Sequence, residues 1–198
     1  MAEIDPEVTA VARRYFLLPT SERLRISSGA DGRRFVASTA QTYDLILADV
    51  FTSAGRVPFH LLTREYFRLL KSRLGPRGVV AFNLGGSLGG PESRLPLAVY
   101  KTLREVFPEV YIFPNYWNTP PGLTQKRNLF LVGTVSADRL SIQEIEGIAG
   151  ALESSGRVKA DLKRHAGGLW MPDPGDPVFQ EAPILTDDFA PVDSLIWD

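Results

Sequence analysis

From Tyr43 to Phe51 the chain reads Tyr-Asp-Leu-Ile-Leu-Ala-Asp-Val-Phe, and no polar residue interrupts Leu45-Ile46-Leu47-Ala48. Such a run predicts a strand covered by helices on both faces of a parallel sheet. Asp49 stands at its carboxyl end, the edge that faces the ligand crevice in an open α/β sheet. A turn or helix cap is the competing local role for it. Helical periodicity recurs elsewhere. Asp5 and Pro6 supply a cap and a first-turn proline for a helix whose buried face is predicted to be Val8, Val11, Ala12, Tyr15 and Phe16. Leu62, Tyr66, Leu69, Leu70 and Leu74 form one face of a helix predicted over 59–74, ended by Gly75-Pro76. A third helix is predicted over 92–107. Ser141 and Glu144 form a capping box for a fourth, which runs to Ser154 with Ile142, Ile145, Ala149 and Leu152 inward.

Between these helices lie strand patterns. Ala2-Glu3-Ile4 reads as the tail of a strand, and Leu24 to Ser27 as a short one. The turn Gly29-Ala30-Asp31-Gly32, with Gly32 suited to positive φ, leads into a short helix over 33–40. Gly78–Asn83, Val110–Phe113 and Asn128–Val132 are further strand candidates. Irregular loops are expected over 52–58 and 114–122. The glycines at 85, 86, 89 and 90 follow a strand but miss the G-x-G-x-x-G register, so a flexible loop is expected there rather than a phosphate cradle.

The resulting order of elements predicts one α/β domain over 1–198. Composition narrows what it can do: 44% of residues are hydrophobic, 23% are charged and the net charge is -1, which gives no electrostatic footprint for nucleic acid or an anionic membrane. No apolar run is long enough to span a bilayer and no signal-peptide pattern is present, so a cytoplasmic location is expected. With no cysteine, and with His60 and His165 far apart, no metal site is expected. A homodimer is compatible with the sequence.

Three acids fall after successive strands: Glu3, Asp31 and Asp49. In a doubly wound sheet those ends share one edge, where one carboxylate can accept ribose hydroxyls, another an adenine amino group, and a third can face a reacting centre. Each has a bland alternative, since Glu3 can be a surface residue and Asp31-Gly32 an ordinary turn.

The segments Glu-Ile-Asp-Pro-Glu-Val at 3–8, Ala-Asp-Gly-Arg-Arg-Phe at 30–35, Tyr-Asp-Leu-Ile-Leu-Ala-Asp at 43–49 and Pro-Phe-His-Leu-Leu-Thr-Arg-Glu-Tyr-Phe at 58–67 resemble the spermidine synthase (polyamine aminopropyltransferase) family. Leu-Thr-Asp-Asp-Phe-Ala-Pro-Val-Asp at 185–193 resembles the ending of its bacterial spermidine synthase-like members. The resemblance implies a Rossmann-like fold of the S-adenosylmethionine-dependent methyltransferase type. It further implies transfer of an aminopropyl group from decarboxylated S-adenosylmethionine to a small-molecule amine in polyamine biosynthesis. Glu3 and Ile4 would lie at the ribose, Asp31 and Gly32 at the adenine, and Asp49 beside the attacking amine. Tyr116 would match an amine-pocket tyrosine, with a loop aromatic packed on its neighbours as the alternative. Thr52 stands where the family carries a second amine-holding Asp, and Asn83 where it carries a Gln. The family's first strand and glycine-rich turn would precede Glu3, so the chain reads as a domain lacking that part. An S-adenosylmethionine-dependent methyltransferase of other specificity, and a noncatalytic nucleoside-binding or interaction homologue, are the rival readings.

Overall fold

Asp5 accepts the Glu7 N–H at 2.9 Å and Pro6 occupies the first turn, so α1 (Pro6–Tyr15) begins where the local chemistry places it. The computed structural model describes residues 1–50, 57–115 and 122–197. They divide into two units, Met1–Gln41 and Thr42–Asp198.

In the first unit β1 (Ala2–Glu3) pairs in parallel with β2 (Ser27–Ser28), and α2 (Gly32–Ser38) follows. The strand expected over Leu24–Ser27 is shifted, because Ser27 N–H donates to Met1 O at 2.8 Å and fixes the register there, while Leu24 bridges back to Ser21. Positive φ falls on Gly29, at 75°, and not on Gly32, which opens α2 behind its cap Asp31. The predicted burial of α1 is overturned. Val8, Val11, Tyr15 and Phe16 are exposed and Thr9 is the buried residue of the helix, its hydroxyl accepting from Ser28 Oγ at 3.2 Å. The small polar side faces the two-stranded sheet, which is too narrow to cover the apolar stripe as well.

The second unit is a mixed four-stranded sheet in the order β3-β4-β6-β5, formed by β3 (Tyr43–Ala48), β4 (Leu74–Gly86), β5 (Glu109–Pro114) and β6 (Arg127–Thr134). β3 and β4 are parallel, whereas β6 is antiparallel to both of its neighbours. One face carries Ala48, Val80, Phe82, Leu84, Leu129 and Leu131, all buried. Against it pack α3 (Arg64–Lys71) and α4 (Arg94–Arg104), with the rings of Phe67 and Phe82 edge to face at 5.1 Å. The predicted helix over 59–74 is in fact a 3-10 turn at Phe59–Leu61, then α3 capped by Thr63; Gly75-Pro76 lies in the irregular start of β4.

Among the described residues of this unit, the other face is covered at its β5 end. There α5 (Ile142–Ser154) and α6 (Leu162–Ala166) lie, and the Leu140 N–H donates to Tyr111 Oη at 2.9 Å. The capping box of α5 forms as read from its sequence, although Leu152 stays exposed. At the β3 end, Leu45 is 52% and Leu47 72% exposed. Helices lie on both faces of the sheet, but among the described residues of this unit none covers the Leu45 and Leu47 side of β3, the terminal strand in the order, since an uninterrupted apolar run does not by itself say which neighbours are supplied. Two short helices, α7 (Pro177–Glu181) and α8 (Ser194–Trp197), complete the unit.

Gly85 and Gly86 continue β4 opposite Asn128 and Arg127. Ser87 N–H then donates to Glu92 O, and the N–H groups of Leu88 and Gly89 both donate to Leu123 O, at 2.9 and 3.1 Å. The glycine-rich segment is pinned rather than loose, with three of its amides spent on backbone carbonyls. A Cβ on Gly86 would come within 2.4 Å of Pro96 Cγ, so close packing against α4 is what requires glycine there.

Candidate active site at the carboxyl ends of the parallel strands

The parallel register pairs Ala48 with Phe82, and the next residues along, Asp49 and Asn83, therefore emerge side by side on the opposite face. Asn83 Nδ2 donates to Asp49 Oδ1 at 3.2 Å. Asn83 Oδ1 is buried and has no hydrogen-bond partner among the described residues. Asp49 itself is exposed, directly beyond the carboxyl end of β3. Phe130, across from Asn83 on β6, shares the same face and is 40% exposed. A carboxylate steadied by an amide, beside an aromatic ring and the aliphatic Leu47, suits a cationic or protonatable group carried on a hydrocarbon chain. Phe130 was not singled out from the sequence; the available signal was the alternation in which Leu129 and Leu131 turn inward and Phe130 outward.

In the first unit Glu3 and Asp31 both sit at the carboxyl edge of β1 and β2, brought together by Ala30 N–H donating to Glu3 O at 2.9 Å. Each carboxylate has local work. Glu3 Oε1 accepts the Asp5 N–H and Asp31 Oδ1 the Arg34 N–H, both at 2.8 Å. One backbone bond does not exhaust a carboxylate, which offers about four lone-pair positions. Ile4 is exposed next to Glu3, and Gly32 forms the first residue of α2. Asp49 and Asn83 belong to the second unit. Thr52 and Tyr116 lie outside the described residues.

A second constellation ties down the segment 185–193. Thr63, fully buried, caps α3 by accepting the Tyr66 N–H and donates its hydroxyl proton to Asp187 Oδ1 at 2.6 Å. Asp187 N–H donates to Glu65 Oε2 at 3.0 Å, and Arg64 N–H to Leu185 O at 2.8 Å. Partial desolvation opposes ionisation of Glu65, but the N–H groups of Glu65 and Asp187 and the Arg64 guanidinium outweigh it and hold the carboxyl below the usual glutamate range. The end of the segment so held, Ala190 to Asp193, lines with Ser194 a groove of about 410 Å3 whose other wall is Val57, Pro58 and Phe59. Thr63→Ala is expected to destabilise the second unit by about 2 kcal/mol, since one side chain serves both as cap and as partner of Asp187. Chemical denaturation of wild type and variant measures this. An unchanged midpoint would show that the segment is not fastened through Thr63.

Among the described residues no cluster of three or more His, Asp or Glu could hold a metal ion, and no helix is long and apolar enough to cross a membrane.

This fold has counterparts among solved structures. A probable spermidine synthase from Corynebacterium glutamicum superposes with a TM-score of 0.62 at 24% identity, over 89% of this chain and 63% of that one. A spermidine synthase in complex with the transition-state analogue AdoDATO superposes at 0.50 with 16% identity, over 84% and 58% of the two chains. The fold is thus a spermidine synthase-like α/β fold. In sequence the chain is similar to the polyamine aminopropyltransferase of Vibrio vulnificus, 28% identical over 198 residues, covering 98% of this chain and 60% of that relative. The chain therefore spans about 60% of the length of that curated relative. No family model matches it.

Proposed function

We propose that the chain carries the acceptor-side part of an aminopropyltransferase site, moving an aminopropyl group from decarboxylated S-adenosylmethionine to a small-molecule amine. The observation that carries this reading is the Asp49–Asn83 pair at the ends of adjacent parallel strands. The names of the similar proteins support the same chemistry.

An alkylammonium has no lone pair, so it must lose a proton before its nitrogen can attack. Asp49 accepts that proton, with its carboxylate oriented by the Asn83 amide. The nitrogen then bonds to the carbon beside the sulfonium, the carbon–sulfur bond breaks, and its electron pair leaves with methylthioadenosine. Glu3 and Ile4 are assigned to the ribose, and Asp31 with Gly32 to the adenine; Thr52, Tyr116 and Asn83 are assigned to the amine. The hydroxyl or amide at positions 52 and 83 carries no charge, so a short amine with few charges fits this set better than a long polycation.

Calorimetric titration of the chain with methylthioadenosine, S-adenosylmethionine and decarboxylated S-adenosylmethionine tests the proposal. Tighter binding of the decarboxylated form is the expected result. Preference for S-adenosylmethionine would point to methyl transfer, and no binding by folded protein to a noncatalytic homologue; either would overturn it.

A further inference from the structure

Past Asn83, the face of β4 that carries it runs on to Gly85, two residues and about 6.6 Å further along the strand. A diamine with one nitrogen at Asp49 and its chain laid along that face would bring its second nitrogen there. The place is already taken. A Cβ on Gly85 would meet Lys126 Cε at 3.9 Å, and Lys126 Nζ pairs with Glu92 Oε2 at 3.1 Å. Lys126 is thus a hydrocarbon stem laid past Gly85 and ending in an ammonium paired with a carboxylate, the same chemical outline as the far half of a diamine.

The pair stands on a fixed frame. Ser87 N–H holds Glu92 O at 3.1 Å, the amides of Leu88 and Gly89 hold Leu123 O, and Gln125 N–H closes the turn before Lys126 on Gly122 O at 3.1 Å. Gly90 has φ 72°, and a Cβ there would stand 3.3 Å from Thr124 Cγ2, so glycine lets the two loops close on each other. Glu92 and Lys126 are therefore brought together by loops joined backbone to backbone. With Val57, Leu84 and Leu95 they line a cavity of about 50 Å3 at the end of β4, and no other charged side chain among the described residues lines it. The charge of Glu92 is met there by Lys126, which leaves the far end of the acceptor path without a net negative charge.

We propose that Lys126 is a specificity-determining residue of the acceptor site: paired with Glu92, it stands in for the second ammonium of a diamine and removes the advantage that a second charge would give. The inference rests on the reading of Asp49 as the place of the attacking amine. An acceptor with one ammonium and a short alkyl chain is then held as well as a diamine of the same length. A second ammonium would have to displace that of Lys126 from Glu92, and it gains only what the exchange returns.

Calorimetric titration of wild type, Lys126→Ala and Lys126→Arg with butylamine and with α,ω-diaminobutane reads the effect. The wild type is expected to bind the diamine no tighter than butylamine. Lys126→Ala frees Glu92 and the space over Gly85, so it should tighten the diamine about tenfold and leave butylamine within about twofold. Lys126→Arg should behave as wild type, and Glu92→Gln added to Lys126→Ala should cancel the gain. Circular dichroism checks that each variant keeps the fold. A wild type that prefers the diamine by about tenfold, or a Lys126→Ala that shifts both amines alike or neither, would overturn the proposal and leave the acceptor site standing. Binding of neither amine by folded wild type and folded Lys126→Ala would overturn the acceptor site itself, and this proposal with it.

Discussion

Asp49→Asn is expected to lower aminopropyl transfer by a factor of about 10²–10⁴ while leaving affinity for methylthioadenosine within a few-fold. The substitution keeps the shape and one acceptor oxygen of the side chain but removes its capacity to take a proton. Asn83 Nδ2, which donates to Asp49 Oδ1 at 3.2 Å, can still find a carbonyl oxygen there, so the local structure is preserved. Nucleoside affinity is assigned to the acids of the first unit and has no reason to follow Asp49. Rates measured with the decarboxylated donor and a diamine, together with the dissociation constant for the product nucleoside, separate the two effects. Equal rates in wild type and variant would remove Asp49 from the mechanism. Parallel losses of rate and nucleoside affinity would make it a structural residue of the crevice.

The largest expected effect on stability is that of Phe82→Ala, about 3–5 kcal/mol. Phe82 is fully buried and lies in β4, the strand flanked by β3 on one side and β6 on the other. Its ring meets Phe67 of α3 at 5.1 Å, and Ala48 and Leu131 stand opposite it on the neighbouring strands. Truncation leaves a hole that three strands and a helix cannot all close upon. Because Asn83 is the next residue, the same hole loosens the register that sets Asn83 beside Asp49. The midpoint of urea unfolding measures the loss, and a cost below about 1 kcal/mol would mean that the site does not rest on this core as described.

The elements most legible in the sequence are those specified within a few residues. Asp5 and Pro6 open α1, and Ser141 with Glu144 caps α5, because a cap is a bond between a side chain and amides two or three positions away. The extent of β3, and the position of Asp49 just after it, follow from an apolar run ended by a carboxylate. Helix ends were less legible. Gly75-Pro76 reads as a helix stop, yet the chain has already left α3 at Lys71 and Leu74 pairs with Tyr43 in the sheet. A breaker forbids continuation of a helix without saying how early it stops.

Sequence alone determined which residues are apolar, where helices are capped, and that acids follow the strands at 3, 31 and 49. Tertiary structure alone decided which apolar stripes are covered: Leu62, Tyr66 and Leu70 are buried, whereas Val8, Tyr15, Leu45 and Leu47 with equally plain patterns are not. It also decided that β6 inserts antiparallel between β4 and β5, and that Asn83 meets Asp49 from 34 residues away. The division has one physical cause. Capping and periodicity are local properties of the chain, while burial and strand pairing depend on what distant segments bring to the same place.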